Sequence, residues 1–184
     1  ARTTESQVHR QLASGLSCPI GFKNSTSGSI KYPINSIKSC AESHSFPGIN
    51  MTGKASVIKT KGNKYCHIVL RGGEEGPNYY EIESTADELR ESGLPTRRVM
   101  VDCSHGNSNK DFTKQPLVLQ SVIQSMNSFP NLIGVMLESN LLSGKQTLIF
   151  GEKHNLKYGI SITDSCIDIT TTENIIFSSY QLIN

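Results

Sequence analysis

Residues 97–110 read RRVMVDCSHGNSNK, an apolar run that turns at once into groups able to bind a metal or a phosphate. Val99, Met100 and Val101 show no polar alternation, which suits a parallel strand covered on both faces. Asp102, Cys103, Ser104, His105 and Asn107 follow without a gap. Two other segments repeat the pattern. Cys66 to Leu70 runs into Arg71, Gly72 and Gly73, and Leu132 to Leu137 runs into Glu138, Ser139 and Asn140. Parallel α/β folds place their active sites at the carboxyl ends of strands, and a TIM barrel gathers several such ends around one mouth.

Working outward, the spacing predicts helices between these strands. Thr4 and Gln7 have capping-box spacing, so a helix is expected from Glu5 to about Ser14, stopping at Gly15. Cys18 to Phe22 reads as a strand delivering Lys23, and Ile30, Ile34 and Ile37 give the next helix its apolar face, with Pro33 in its first turn. Ser45 to Asn50 is a strand candidate, and Lys54 to Asn63 reads as a short helix or loop. Further helices are expected over Ile82 to Glu91 and over about Pro116 to Asn127. A last helix, capped by Thr172, would carry Ile175, Ile176 and Leu182. Alternating strands and helices indicate βα units, of which four or five strands can be counted. A closed (β/α)8 barrel needs eight, so residues 1–184 amount to roughly half of one barrel domain.

Composition excludes several classes of function. The formal net charge of +2 is too small for a nucleic-acid partner, and the basic residues form no stripe with aromatics. No apolar run approaches the length of a membrane span. Cys18, Cys40, Cys66, Cys103 and Cys166 lack CxxC spacing, so neither a zinc ribbon nor a disulfide scaffold is indicated, and a reducing cytoplasm is expected. No secretory leader precedes ARTTESQ. The chain begins without Met, which raises the expectation that residue 1 is not a natural start.

Two sets of residues stand out. Arg2, Lys23 and Arg71 each sit at a strand end or just before a helix. Singly, such cations are usually solvated surface charges; together they indicate an anion site. The glycines after Arg71 let backbone amides approach a phosphate. His105, Glu138 and Asp164 each follow an apolar segment, and a histidine with two carboxylates suits manganese, iron, cobalt or zinc. Nothing local ties these three together, and Cys103 as a further ligand competes with a buried, inert thiol.

The motifs ARTTESQVHR, ASGLSCPIGFKN, CHIVLRGG, VDCSHGNSNKD, GVMLESN and YGISITDSC occur in this order from residue 1 to residue 166. Over about residues 1–176 the chain resembles the C-terminal half of the metal-dependent 3-deoxy-D-arabino-heptulosonate 7-phosphate (DAHP) synthases. The resemblance implies a (β/α)8 barrel in which phosphoenolpyruvate condenses with erythrose 4-phosphate. It implies that Arg71, Arg2 and the amide of Ala1 hold the phosphoenolpyruvate phosphate, with Lys23 beside the carboxylate. His105, Glu138 and Asp164 become metal ligands, and Lys23 and His105 catalytic residues. Lysine and arginine suit a dianion and a carboxylate, while a divalent metal would polarise the second substrate's aldehyde.

Departures from the family pattern are equally informative. The cysteine that is the fourth ligand, the KPRT loop for the erythrose 4-phosphate phosphate and a further arginine belong to the family's N-terminal half, and none is in this sequence. Smaller ones are GINMTGK, where many relatives carry a lysine and an aromatic, and SCIDI in place of ACIGW or ACISW. The family is feedback-inhibited by aromatic amino acids; matching positions are Leu16, Ser17, Phe46 and Gly48. Gly48 resembles the tyrosine-sensitive type, since a missing side chain leaves room for a phenolic hydroxyl. Expected partners are the two substrates, the inhibitor, and either another copy of the chain or a complementary N-terminal half. An inactive regulatory remnant is the alternative, against which the retained ligand set argues. An octulosonate-phosphate synthase is disfavoured by RTTES, GFKN and CSHGNSNK.

Overall fold

A computed structural model describes residues 6–183, and its centre is a parallel sheet. The strands are β1 (Gly21–Lys23), β4 (His67–Leu70), β5 (Val99–Asp102) and β6 (Leu132–Met136), hydrogen-bonded in the order β1-β4-β5-β6. Each pairing is parallel, with Gly21 opposite His67, Val69 opposite Met100 and Asp102 opposite Met136. An antiparallel hairpin, β2 (Ser45–Ile49) with β3 (Ala55–Lys59), is inserted before β4. Beyond β6, the short β7 (Ser139–Asn140) pairs in parallel with β8 (Ile167–Asp168). Helices α1 (Gln7–Gly15), α2 (Lys31–Ala41), α3 (Ile82–Glu91), α4 (Gln115–Gln124) and α5 (Ile169–Ile183) complete the described elements.

The alternation of side chains along the strands divides the sheet into two faces. Phe22, Ile68, Leu70, Val99 and Val101 are fully buried in a core shared with Ile34, Ile37, Leu89, Val118 and Val122 of the helices. Burying each large apolar side chain contributes about 1.5–3 kcal/mol. Gly21, Lys23, His67, Val69, Met100 and Met136 line a cavity on the opposite face. Gly21 is needed there because a Cβ would lie 2.6 Å from Val69 Cγ2 and 2.9 Å from the His67 imidazole. β4 is buried along its whole length, as its unbroken apolar run demands.

Several boundaries differ from those the sequence indicates. Lys54 to Asn63 is neither helix nor loop throughout, because Ala55–Lys59 pairs with Ser45–Ile49. The turn between them is built by Asn50, whose Oδ1 accepts hydrogen bonds from the Thr52 and Lys54 amides, and by Gly53 at φ +77°. The last helix starts at Ile169, capped by Asp168, which accepts from the Thr171 amide at 2.7 Å. Thr172 lies inside the first turn and donates its hydroxyl to the Asp168 carbonyl. α4 gives way to a 3-10 turn at Met126–Ser128, so Val118 and Val122 are buried and Met126 is not. Thr4 and Glu5 of the expected first cap lie outside the described residues. Among the described residues the parallel sheet is open, with β1 and β6 at its edges.

Candidate metal and anion site

One edge of the sheet collects the chemistry. Lys23 is the last residue of β1, Arg71 follows β4, Asp102 ends β5, and Glu138 stands two residues past β6. His105 opens a 3-10 turn just after β5 with φ +51°, a left-handed conformation that is uncommon outside glycine. Asp164 arrives from the loop ahead of β8. The sequence-predicted triad is thereby brought together. His105 Nε2 lies 3.8 Å from Glu138 Oε1 and 3.5 Å from Asp164 Oδ2. One ligand atom from each residue falls within 4.8 Å of the others. A first-row metal bonded at about 2.1 Å separates its ligand atoms by roughly 3–4 Å, and the two separations from His105 Nε2 fall in that range.

Cys103 contributes nothing to this set. Its side chain is wholly buried in the helix-side core, and burial, with the nearby Asp102 charge, pushes the thiol up to about 12.

Asp102, a member of neither expected set, joins the cation and anion halves of the site. Its side chain is completely buried, and Oδ2 lies 2.8 Å from Lys23 Nζ and 2.7 Å from His105 Nδ1. Lys23 donates a hydrogen bond, while the His105 ring approaches Oδ2 obliquely rather than in line. The Ser104 amide donates to Oδ1 at 2.9 Å. Burial pushes the carboxyl upward, but the His105 contact and the Lys23 charge outweigh it and hold the carboxyl below its ordinary range. The aspartate is therefore ionised beside its partners.

Around Arg71, three buried asparagines brace the strand ends. Asn24 Oδ1 accepts from the Arg71 amide, Asn78 Oδ1 from the Gly72 amide, and Asn107 Oδ1 from the Asn78 amide, each at 2.7 Å. Asn107 also donates to the carbonyls of Leu70 and Asp102. Arg71 lines a cavity of about 210 Å³ together with His105, Asp164, Lys110 and Lys145. These two lysines extend the cationic lining beyond the expected Lys23 and Arg71. Glu138 is held by the fully buried Gln115, whose amide accepts from the Glu138 amide at 2.8 Å and donates to its carbonyl at 3.1 Å. The asparagines and Gln115 escape sequence reading because their partners are distant backbone groups. Ala1 and Arg2, the other expected phosphate contacts, lie outside the described residues.

The expected inhibitor positions divide into two groups. Leu16 and Ser17 line a cavity of about 480 Å³ with Ile58, Thr60, Asn63 and Tyr65. Phe46 and Gly48 lie on β2, Phe46 opposite Ile58. A Cβ on Gly48 would sit 2.6 Å from Ile58 Cγ1, so this glycine shapes the cavity through Ile58. Ile58 joins the expected positions as a wall of this cavity.

The model of the DAHP synthetase I family matches residues 1–176. The chain belongs to that family. Among curated members it is similar to the tyrosine-sensitive phospho-2-dehydro-3-deoxyheptonate aldolase of Escherichia coli (strain K12), at 44% identity over 187 residues, 100% of this chain and 52% of the relative. It is likewise 44% identical over 183 residues to the phenylalanine-inhibited enzyme of Saccharomyces cerevisiae, covering 96% of this chain and 50% of that one. The solved phospho-2-dehydro-3-deoxyheptonate aldolase of Francisella tularensis SCHU S4 superposes with a TM-score of 0.87 at 40% identity, over 100% of this chain and 54% of that chain. The chain spans about half the length of these family members.

Proposed function

We propose that this chain supplies the C-terminal half of a (β/α)8 barrel that condenses phosphoenolpyruvate and erythrose 4-phosphate to DAHP and phosphate. This is the first step of the shikimate route to aromatic amino acids. The observation that carries the reading is the convergence of His105, Glu138 and Asp164 with Lys23 and Arg71 on one sheet edge. Arg71, with Arg2 and the Ala1 amide, holds the phosphoenolpyruvate phosphate, and Lys23 faces the carboxylate. The enol carbon attacks the aldehyde carbon, water adds at the phosphate-bearing carbon, and phosphate leaves by carbon–oxygen cleavage. A divalent manganese, iron, cobalt or zinc ion held by the triad would stabilise charge on the aldehyde oxygen. Tyrosine fits the cavity at Leu16 and Ser17 as feedback inhibitor, with Phe46 and Gly48 shaping it. A cytoplasmic location accords with the free cysteines and the metabolite substrates.

The test is phosphate release from phosphoenolpyruvate, measured in the natural protein with manganese. Release that requires erythrose 4-phosphate, disappears with chelator and returns with metal is the expected result. Metal-independent release, or release without the aldehyde, would overturn the reading.

A further inference from the structure

We propose that Asp102 is a positioning residue that fixes the tautomer of His105 and the place of the Lys23 ammonium, coupling the cation site to the anion site. The inference rests on the metal-dependent reading above and adds a residue that neither holds the ion nor touches substrate.

The carboxylate is enclosed. None of its side-chain surface reaches solvent, and its neighbour across the β5–β6 pairing is Met136, whose side chain offers no hydrogen on a polar atom. Two groups hydrogen-bond it, the Ser104 amide on Oδ1 and Lys23 on Oδ2, and His105 Nδ1 lies 2.7 Å from that same Oδ2. A buried anion needs compensating positive charge, and Lys23 supplies one unit. A histidine that holds a metal does so as the neutral imidazole.

Neutrality still leaves two tautomers. If Nδ1 carried the lone pair, that lone pair would face an ionised oxygen 2.7 Å away, and the two would repel. With the proton on Nδ1 the contact is attractive, and the lone pair is left on Nε2. Nε2 is the atom within 4 Å of both Glu138 and Asp164. Histidines that hold metals commonly donate their other N–H to a carboxylate, which orients the ring and raises its basicity. The left-handed backbone of His105 makes such an external hold more important, because the local chain does not favour that conformation.

Lys23 shares the same oxygen, so its ammonium is anchored on the inner side of the site. Lys23 also lines the cavity on this face, where an ammonium has two further N–H groups to offer. One carboxylate thus registers an ammonium for an anionic substrate against a nitrogen for a cation, from strands 79 residues apart in sequence.

The experiment compares Mn²⁺ binding by calorimetry, and the visible spectrum of the Co²⁺ form, in the natural protein and in D102N, K23M and the K23M/D102N double variant. D102N should weaken Mn²⁺ about 10–100-fold and alter the Co²⁺ bands, since the amide no longer dictates the His105 tautomer. K23M should keep the parent's Co²⁺ bands, because Asp102 still orients the ring. The double variant buries no unpaired charge, so it carries the test if D102N does not fold; it should lose Mn²⁺ affinity as D102N does. Affinity within threefold and an unchanged Co²⁺ spectrum in D102N or the double variant would overturn the proposal alone. Absence of Mn²⁺ binding in the parent would overturn the metal reading along with it.

Discussion

Glu138 and Asp164 have side chains 28% and 42% exposed, whereas Asp102 has none of its side chain exposed, and this contrast decides what each substitution does. Removing a carboxylate from the open part of the site takes away a ligand from a position that water already reaches. E138Q and D164N should therefore lower Mn²⁺ affinity by about tenfold or more with little change in melting temperature, which titration and thermal unfolding will separate. Cys103 gives a chemical check on the same region. Its thiol, pushed up to about 12, is almost wholly protonated near pH 8, so iodoacetamide should modify exposed Cys18 and spare Cys103 until the chain unfolds. At this scale the sequence exposed His105, Glu138 and Asp164, because each is a polar group just past an apolar run. Asp102 belongs to the same run but reads like an ordinary strand-ending carboxylate. Its partner Lys23 is 79 residues away, and no local pattern can reveal that pairing.

The elements hold the site through backbone contacts. Gly72 has φ +71°, and a Cβ there would sit 2.5 Å from the Asn107 nitrogen, so the loop after β4 touches the turn after β5 main chain to main chain. G72A should cost about 3 kcal/mol or more and displace Arg71 from His105, raising the KM for phosphoenolpyruvate in a steady-state assay. Gln115 is a separate brace. Q115A removes both of its hydrogen bonds to Glu138 from a fully buried position and should cost about 2–4 kcal/mol in urea unfolding. The apolar runs of β4, β5 and β6 mark the strands, although only β4 is buried along its whole length and β6 is partly covered. The β2–β3 hairpin is only half legible: Ser56, Val57 and Ile58 alternate too briefly for a clear period, and strand identity there comes from pairing across the Asn50–Gly53 turn.

At the scale of the molecule, the helix side of the sheet is closed and the other side is not. β1 and β6 form edges among the described residues, and α5 exposes Ile176, Phe177, Tyr180 and Leu182. Unpaired parallel edges and apolar surface of this kind promote association unless something covers them. The family members are about twice as long, and the features absent from this sequence, the KPRT loop and the cysteine ligand, are those the resemblance assigns to the N-terminal half. Closing the barrel would cover both edges and supply the second phosphate site in one step. Residues 1–184 expressed alone should sediment as more than a monomer and show less than about one hundredth of the turnover of a full-length relative. Mixing in the N-terminal half of such a relative should convert them to a 1:1 complex with manganese-dependent phosphate release. A monomer of residues 1–184 with full turnover would show that this sheet needs no second half, and the barrel assignment would fall with it.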